Sequence, residues 1–252
     1  MVVIPVVLTA TRSPLLAQPN QEQYKKAVEL KAHRQFSEAL VIFKDLLHSD
    51  SSNATYLYNT AFLMARQGIH QTTSEKRMQT YARARYLAEK AIRISPGSAE
   101  AHFSLAFALG RQSEEGSNSM KINNAKIIRV EAEKAIALDP TLPGPYHILG
   151  MWHQVVAGFN GFEKAMIATF FGSGLEGGTY QESIYYFNKA ISLEPDNVNH
   201  YYQLGITYME RGKTGDSERA RTMFKKVTGM KMVPKDDQPI VDLAKKRLKE
   251  LN

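Results

Sequence analysis

The chain contains no cysteine, which excludes a disulfide scaffold, a thiol nucleophile, cysteine-ligated zinc and iron–sulfur clusters together. It also lacks long hydrophobic runs. The longest near the start, Val2 to Leu8, is interrupted by Pro5 and followed by Arg12, far short of the roughly 18–20 residues a bilayer-spanning helix needs. No His-Glu-x-x-His, paired-histidine spacing or Asp-rich calcium loop occurs, so the sequence offers neither a metal site nor a cofactor motif. Gly212-Lys213-Thr214 imitates the end of a phosphate-binding loop, but Thr207 stands where the first glycine of that loop belongs and no strand precedes it, so it reads as a turn. His147 and His153 have no triad partners at recognisable spacing and read as packed or groove-lining side chains, not catalytic ones. A non-enzymatic protein is expected.

What is present fits one or two globular domains with an ordinary core: 252 residues, 43% apolar and 23% charged. The net charge of +7 is unevenly placed, because residues 211–252 carry 12 Lys and Arg against 6 Asp and Glu, leaving 20 against 19 for the rest. Lys225, Lys226, Lys245, Lys246 and Lys249 form a candidate basic patch that could steer an acidic surface toward the C-terminal end, although the solvated face of an ordinary amphipathic helix is the simpler explanation. No nucleic-acid partner is expected. At the other end, Leu15-Leu16-Ala17-Gln18 reads like the close of a secretory signal cut after Ala17, while Arg12, Pro14 and the absence of an early Lys or Arg argue for an uncut N-terminal arm. An exported, periplasmic location goes with the first reading, and a cytoplasmic, cytoskeleton-associated one with the second.

Internal repetition decides the fold. Ala88-Glu-Lys-Ala91-Ile92-Arg-Ile-Ser-Pro96, Ala132-Glu-Lys-Ala135-Ile136-Ala-Leu-Asp-Pro140 and Phe187-Asn-Lys-Ala190-Ile191-Ser-Leu-Glu-Pro195 are nearly one string written three times. About ten residues after each Pro a Leu precedes a small residue: Leu105-Ala106, Leu149-Gly150 and Leu204-Gly205. The pattern resembles the tetratricopeptide (TPR) repeat, a helix–turn–helix unit whose small residue marks a close approach of its two helices. It implies an all-α TPR-like solenoid of five hairpins at 20–53, 54–98, 99–142, 143–197 and 198–234, with enlarged middle units, after an N-terminal segment 1–19. Asp236-Asp237-Gln238-Pro239 then reads as a helix start, and Ile240, Leu243, Ala244, Arg247, Leu248 and Leu251 as the buried face of a capping helix over 235–252. The largest insertion, Val155 to Gly178, places Phe159, Phe162, Met166 and Phe170 on one helical face, and Thr179-Tyr-Gln-Glu182 forms a capping-box sequence.

In TPR proteins the fifth and ninth positions of each first helix look into the concave groove. Here they are Tyr24 and Val28, Tyr58 and Phe62, Phe103 and Phe107, His147 and Met151, and Tyr202 and Ile206. The expected groove is apolar and aromatic, unlike the Lys and Asn clamp of carboxylate-binding TPR proteins. It would take a protein or peptide segment, or alternatively a lipid or acyl chain, unless the insert or the N-terminal arm fills it.

The fourth unit carries a more specific likeness. His147-Ile-Leu-Gly150-Met-Trp152 with Val156-Ala157, then Thr169-Phe-Phe-Gly172 and Thr179-Tyr180-Gln-Glu182, resembles the hallmark region of the regulator of microtubule dynamics family of TPR proteins, over roughly residues 84–228. Gly158, Gly161 and Ser173-Gly174-Leu175 depart from that pattern. The resemblance implies a scaffold associated with microtubules, with tubulin as a candidate acidic partner, and through some members a link to lipid handling.

Overall fold

The computed structural model describes residues 18–231 and 234–251; the secretion-signal reading of residues 1–17 lies outside them. Helices α1 (Gln18–Ala32) and α2 (Phe36–Ser49), α3 (Ala54–Gln67) and α4 (Ser74–Ile94), α5 (Ala99–Glu115) and α6 (Asn118–Leu138), α7 (Pro143–Gly158) and α9 (Tyr180–Leu193), and α10 (Val198–Arg211) and α11 (Asp216–Thr228) form five antiparallel hairpins. Helix α8 (Gly161–Phe171) is inserted in the fourth, and α12 (Gln238–Glu250) packs on α11 and α10 as the cap. No strand occurs among the described residues.

The ends of the helices follow from sequence chemistry. Asn53, Thr73, Ser98, Ser117, Thr179 and Asn197 each accept a hydrogen bond from a first-turn backbone N–H, satisfying donors that no helical carbonyl reaches. Pro96, Pro140 and Pro195 lie two residues beyond the ends of α4, α6 and α9, where the helix could not continue through them. The extra residues of the second and third units mostly lengthen α4 and α6 to 21 residues each. Thr179 caps α9 through Glu182 N–H, while both halves of a capping box are made by Asn160 and Glu163 at the start of α8.

The repeated small residues lie where second helices cross first helices. Ala106 is fully buried. A Cβ on Gly150 would come 2.8 Å from the Phe187 ring and one on Gly205 2.6 Å from Phe224. The single tryptophan joins α7 to α6, its indole donating to the Ala125 carbonyl at 2.8 Å while the Arg129 guanidinium covers its face at 4.9 Å. At the C-terminus the buried face of α12 is built on Val241 and Ala244, and Leu243, expected there, is exposed. The rest of that face packs as expected, Ile240, Leu248 and Leu251 lying against the same cluster, and Val241 takes the place of Leu243.

The insert does not fill the groove. Helix α8 buries no residue, and Phe162 and Phe170 are 75% and 69% exposed. It is held from α6, where Lys126 donates to the Phe171 carbonyl and Arg129 to the Glu176 carbonyl at 3.0 Å.

Candidate functional site: the concave face

The concave face divides into two halves. In the N-terminal half Phe62, Phe103 and Phe107 pack on one another with ring centroids 5.0–6.0 Å apart, and Phe36, from the start of α2, meets Phe62 edge-on at 6.3 Å. Gly144 makes room for this cluster, since a Cβ there would lie 2.4 Å from the Phe103 ring. Tyr58 is half-buried beside it, and Lys31 Nζ sits 5.4 Å over the Phe62 ring while donating to Asn59 Oδ1 at 2.6 Å. Burial pushes the Lys31 ammonium down to about 8, against the opposing pull of Glu100.

Next to the aromatic cluster lies a polar network that the sequence did not disclose. Asp237, 1% exposed at the start of α12, accepts from Arg34 Nε and Arg66 Nη2, both at 2.6 Å, and from Asn199 Nδ2 at 3.3 Å. Asp236 accepts from Gln67 Nε2 at 3.0 Å. Arg34 also reaches Glu194 Oε1 at 3.0 Å and Asn197 Oδ1 at 3.2 Å. Arg34 and Asp237 are 203 positions apart, so the turn of the first hairpin is clasped to the C-terminal end of the solenoid.

His147 lies in the same polar region. Its Nδ1 is 2.9 Å from His200 Nδ1, and His200 Nε2 is 3.1 Å from Glu194 Oε2. Burial, followed by the facing His200, holds His147 well below the usual histidine value. Burial alone would raise the Glu194 carboxyl; hydrogen bonds from His200 and Asn197 and the charge of Arg34 outweigh it and bring the group down to about 2. Burial likewise lowers Arg66 to about 10 against the attraction of Asp237.

Two pH limbs are expected from these shifts. Glu194 binds its proton more weakly in the folded state, so its stabilisation is complete above about pH 4.5 and is lost as pH falls toward 2. Lys31 also holds its proton more weakly when folded, so unfolding takes up a proton between pH 8 and 10.5 and stability rises with pH across that window. Urea midpoints against pH should lose the acid limb in Glu194→Gln and the alkaline limb in Lys31→Met; an unchanged profile in either variant would refute the corresponding assignment.

In the C-terminal half the face opens into a cleft of about 440 Å³ between α7, α10 and the start of α9, with α12 at its edge. Met151, Val155, Tyr202 and Ile206 form apolar walls, and Tyr180 joins them. Gln154, Glu210 and Arg247 supply polar groups, with Gln154 Nε2 donating to Glu210 at 2.9 Å. The candidate groove residues are therefore parted: Tyr58, Phe62, Phe103, Phe107 and His147 belong to the packed half, Met151, Tyr202 and Ile206 to the cleft.

The family model described as Regulator of microtubule dynamics protein 1-3 matches residues 21–252. The chain belongs to the regulator of microtubule dynamics family. Among its curated relatives, regulator of microtubule dynamics protein 1 of Bos taurus is 30% identical over 137 residues, covering 54% of this chain and 43% of the relative. Regulator of microtubule dynamics protein 3 of Mus musculus is 28% identical over 151 residues, covering 59% and 32%. The matched region thus spans less than half the length of the curated relatives. Among solved structures, a thermophilic TPR protein of Thermus thermophilus superposes with a TM-score of 0.63 at 14% identity, covering 91% of this chain and 99% of that one, which establishes the TPR fold.

The basic residues of this family member lie on the last hairpin and the cap. Lys225 and Lys226 occupy the last turn of α11, where they face the negative end of the helix dipole, and Lys245, Lys246 and Lys249 project from α12. All five are exposed. Lys245 pairs with Asp242 at 3.1 Å and Lys226 lies 5.9 Å from the Tyr201 ring. No helix among the described residues is long and apolar enough to cross a membrane.

Clasp residues Arg34, Arg66, Asp236 and Asp237 do not stand out in the sequence, for identifiable reasons. Asp236 and Asp237 read there as a helix start, yet Asp237 makes no side-chain cap because its carboxylate is committed across the groove. Arg66 was visible in principle, standing four positions after Phe62 on the same face of α3.

Proposed function

We propose that the chain is a non-enzymatic interaction scaffold that receives a peptide segment of a partner protein in the cleft between α7 and α10. The observation that carries this reading is the cleft itself, open among the described residues, with apolar walls and Gln154, Glu210 and Arg247 placed to meet a peptide backbone. Family membership supports a partner on microtubules, and the exposed lysines of α11 and α12 suit an acidic surface such as that of tubulin. Arg247 at the edge of apolar walls also favours a second ligand class, an amphiphile with its acyl chain in the cleft and its anionic head on the guanidinium.

Photo-crosslinking from the cleft in cell extract, with Ile206→Glu as control, tests the peptide reading. Ile206→Glu should abolish the crosslinked partner while leaving helicity intact, and the same partner appearing with this variant would defeat the proposal. Mass spectrometry of organic extracts from the purified protein detects the amphiphile. Co-sedimentation with microtubules should weaken at raised ionic strength and in Lys225→Glu/Lys226→Glu, because a screened electrostatic contact loses most when charges are exposed.

A further inference from the structure

We propose that Arg34 and Arg66, with Gln67, form a receptor for an acidic segment, whose resident occupant is the protein's own Asp236–Asp237 pair, and that an acidic segment of a partner takes its place and opens the clasped solenoid. This site is separate from the cleft, and the inference does not depend on what the cleft binds.

Three observations carry it. The first concerns how the clasp is held. The hydrophobic cluster of the first hairpin (Ala27, Phe36, Ala39, Phe43, Leu46 with Leu63) and that of the last hairpin and cap (Val198, Tyr201, Phe224, Val227, Val241) are separate. Polar side chains join them: Arg34 and Arg66 to Asp237, Gln67 to Asp236, and Arg34 to Glu194 and Asn197. The backbone N–H of Asp237 bonds within its own turn, to the Pro234 carbonyl at 2.9 Å. Another chain offering carboxylates could meet the same donors without disturbing either hydrophobic cluster.

The second observation is Arg34 itself. It follows α1 with φ of +60°, the one non-glycine among the described residues with positive φ, at a position where glycine would be unstrained. The strain is tolerated where the guanidinium reaches Asp237, Glu194 and Asn197, which marks the side chain as the feature retained.

The third is charge balance. Two guanidiniums converge on Asp237, with their side chains 14% and 21% exposed. Partly desolvated cations of this kind are poorly served by an empty site. Opening the clasp and binding a substitute carboxylate are therefore coupled events: an acidic ligand favours the open form by supplying what Asp237 withdraws.

The test uses the full chain and a capped hexapeptide, Pro-Lys-Asp-Asp-Gln-Pro, with its Asn-Asn analogue as control. Fluorescence anisotropy should show the acidic peptide binding Asp237→Asn at least tenfold more tightly than the wild type, where the resident occupant competes. Binding should be lost in Asp237→Asn/Arg66→Ala. The absence of native cysteine allows a second readout on the wild-type background: labels at Ser37→Cys and Ser217→Cys report the separation of the first and last hairpins. That separation should increase with Arg34→Gly, which removes the clasp and relieves the backbone strain together, and with millimolar acidic peptide but not its analogue. Equal binding of the two peptides, no gain in affinity on Asp237→Asn, or a label distance indifferent to both Arg34→Gly and acidic peptide would each overturn the proposal.

Discussion

Replacing Asp237 with alanine is expected to destabilise the protein by about 3 kcal/mol, the cost of leaving a buried ion pair with one partner missing. Two guanidiniums lose their shared carboxylate at once, each from a 2.6 Å contact. The lower end of the usual range applies because Arg34 retains Glu194 and Asn197 and both arginines can turn partly to water. For a chain of this length the melting temperature should fall by about 6–12 °C. Asp236→Ala is the control: one hydrogen bond from the neutral Gln67 amide is removed, and about 0.5–1.5 kcal/mol is expected. Urea denaturation of the two variants separates the readings, since comparable small losses in both would show that the clasp contributes geometry without stability.

The fold was legible because a solenoid writes its contacts locally. Each hairpin packs mainly on its neighbours, so the Leu-small pairs at 105–106, 149–150 and 204–205 and the prolines at 96, 140 and 195 encode close approaches and helix ends within some 50 residues. The same locality explains what could not be read. The Arg34–Asp237 contact joins residues 203 positions apart and depends on how four small rotations between hairpins accumulate, which no pattern inside one repeat specifies. Asp237 misled for a related reason, since at a helix start an aspartate ordinarily caps its own helix. The groove positions read as apolar and aromatic, but composition alone could not tell that Phe62, Phe103 and Phe107 would pack on one another while Met151, Tyr202 and Ile206 would leave a cleft. Helix α8 shows the converse: Phe162, Met166 and Phe170 do share a face by spacing, and that face is turned to solvent.

Gly150→Leu is expected to cost about 3 kcal/mol or more, at or beyond the upper end for overpacking a rigid core. A Cβ at this position would lie 2.8–2.9 Å from three atoms of the Phe187 ring, and that ring is fully buried, so it has no space into which to turn. Backbone retreat is blocked as well: Ser183 Oγ donates to the Gly150 carbonyl at 2.9 Å and lies 3.1 Å from Thr207 Oγ1, tying α7, α9 and α10 together at the point of insertion. Separating α7 from α9 would break these buried hydrogen bonds and move one wall of the cleft, so loss of stability and loss of cleft binding should appear together. Gly110→Ala provides the contrast on α5, where a Cβ meets nothing within 4 Å and replacing glycine inside a helix should stabilise by about 0.5–1 kcal/mol. Thermal melts of both variants give the answer, and a Gly150→Leu protein melting with the wild type would mean that α7 and α9 do not approach through this residue.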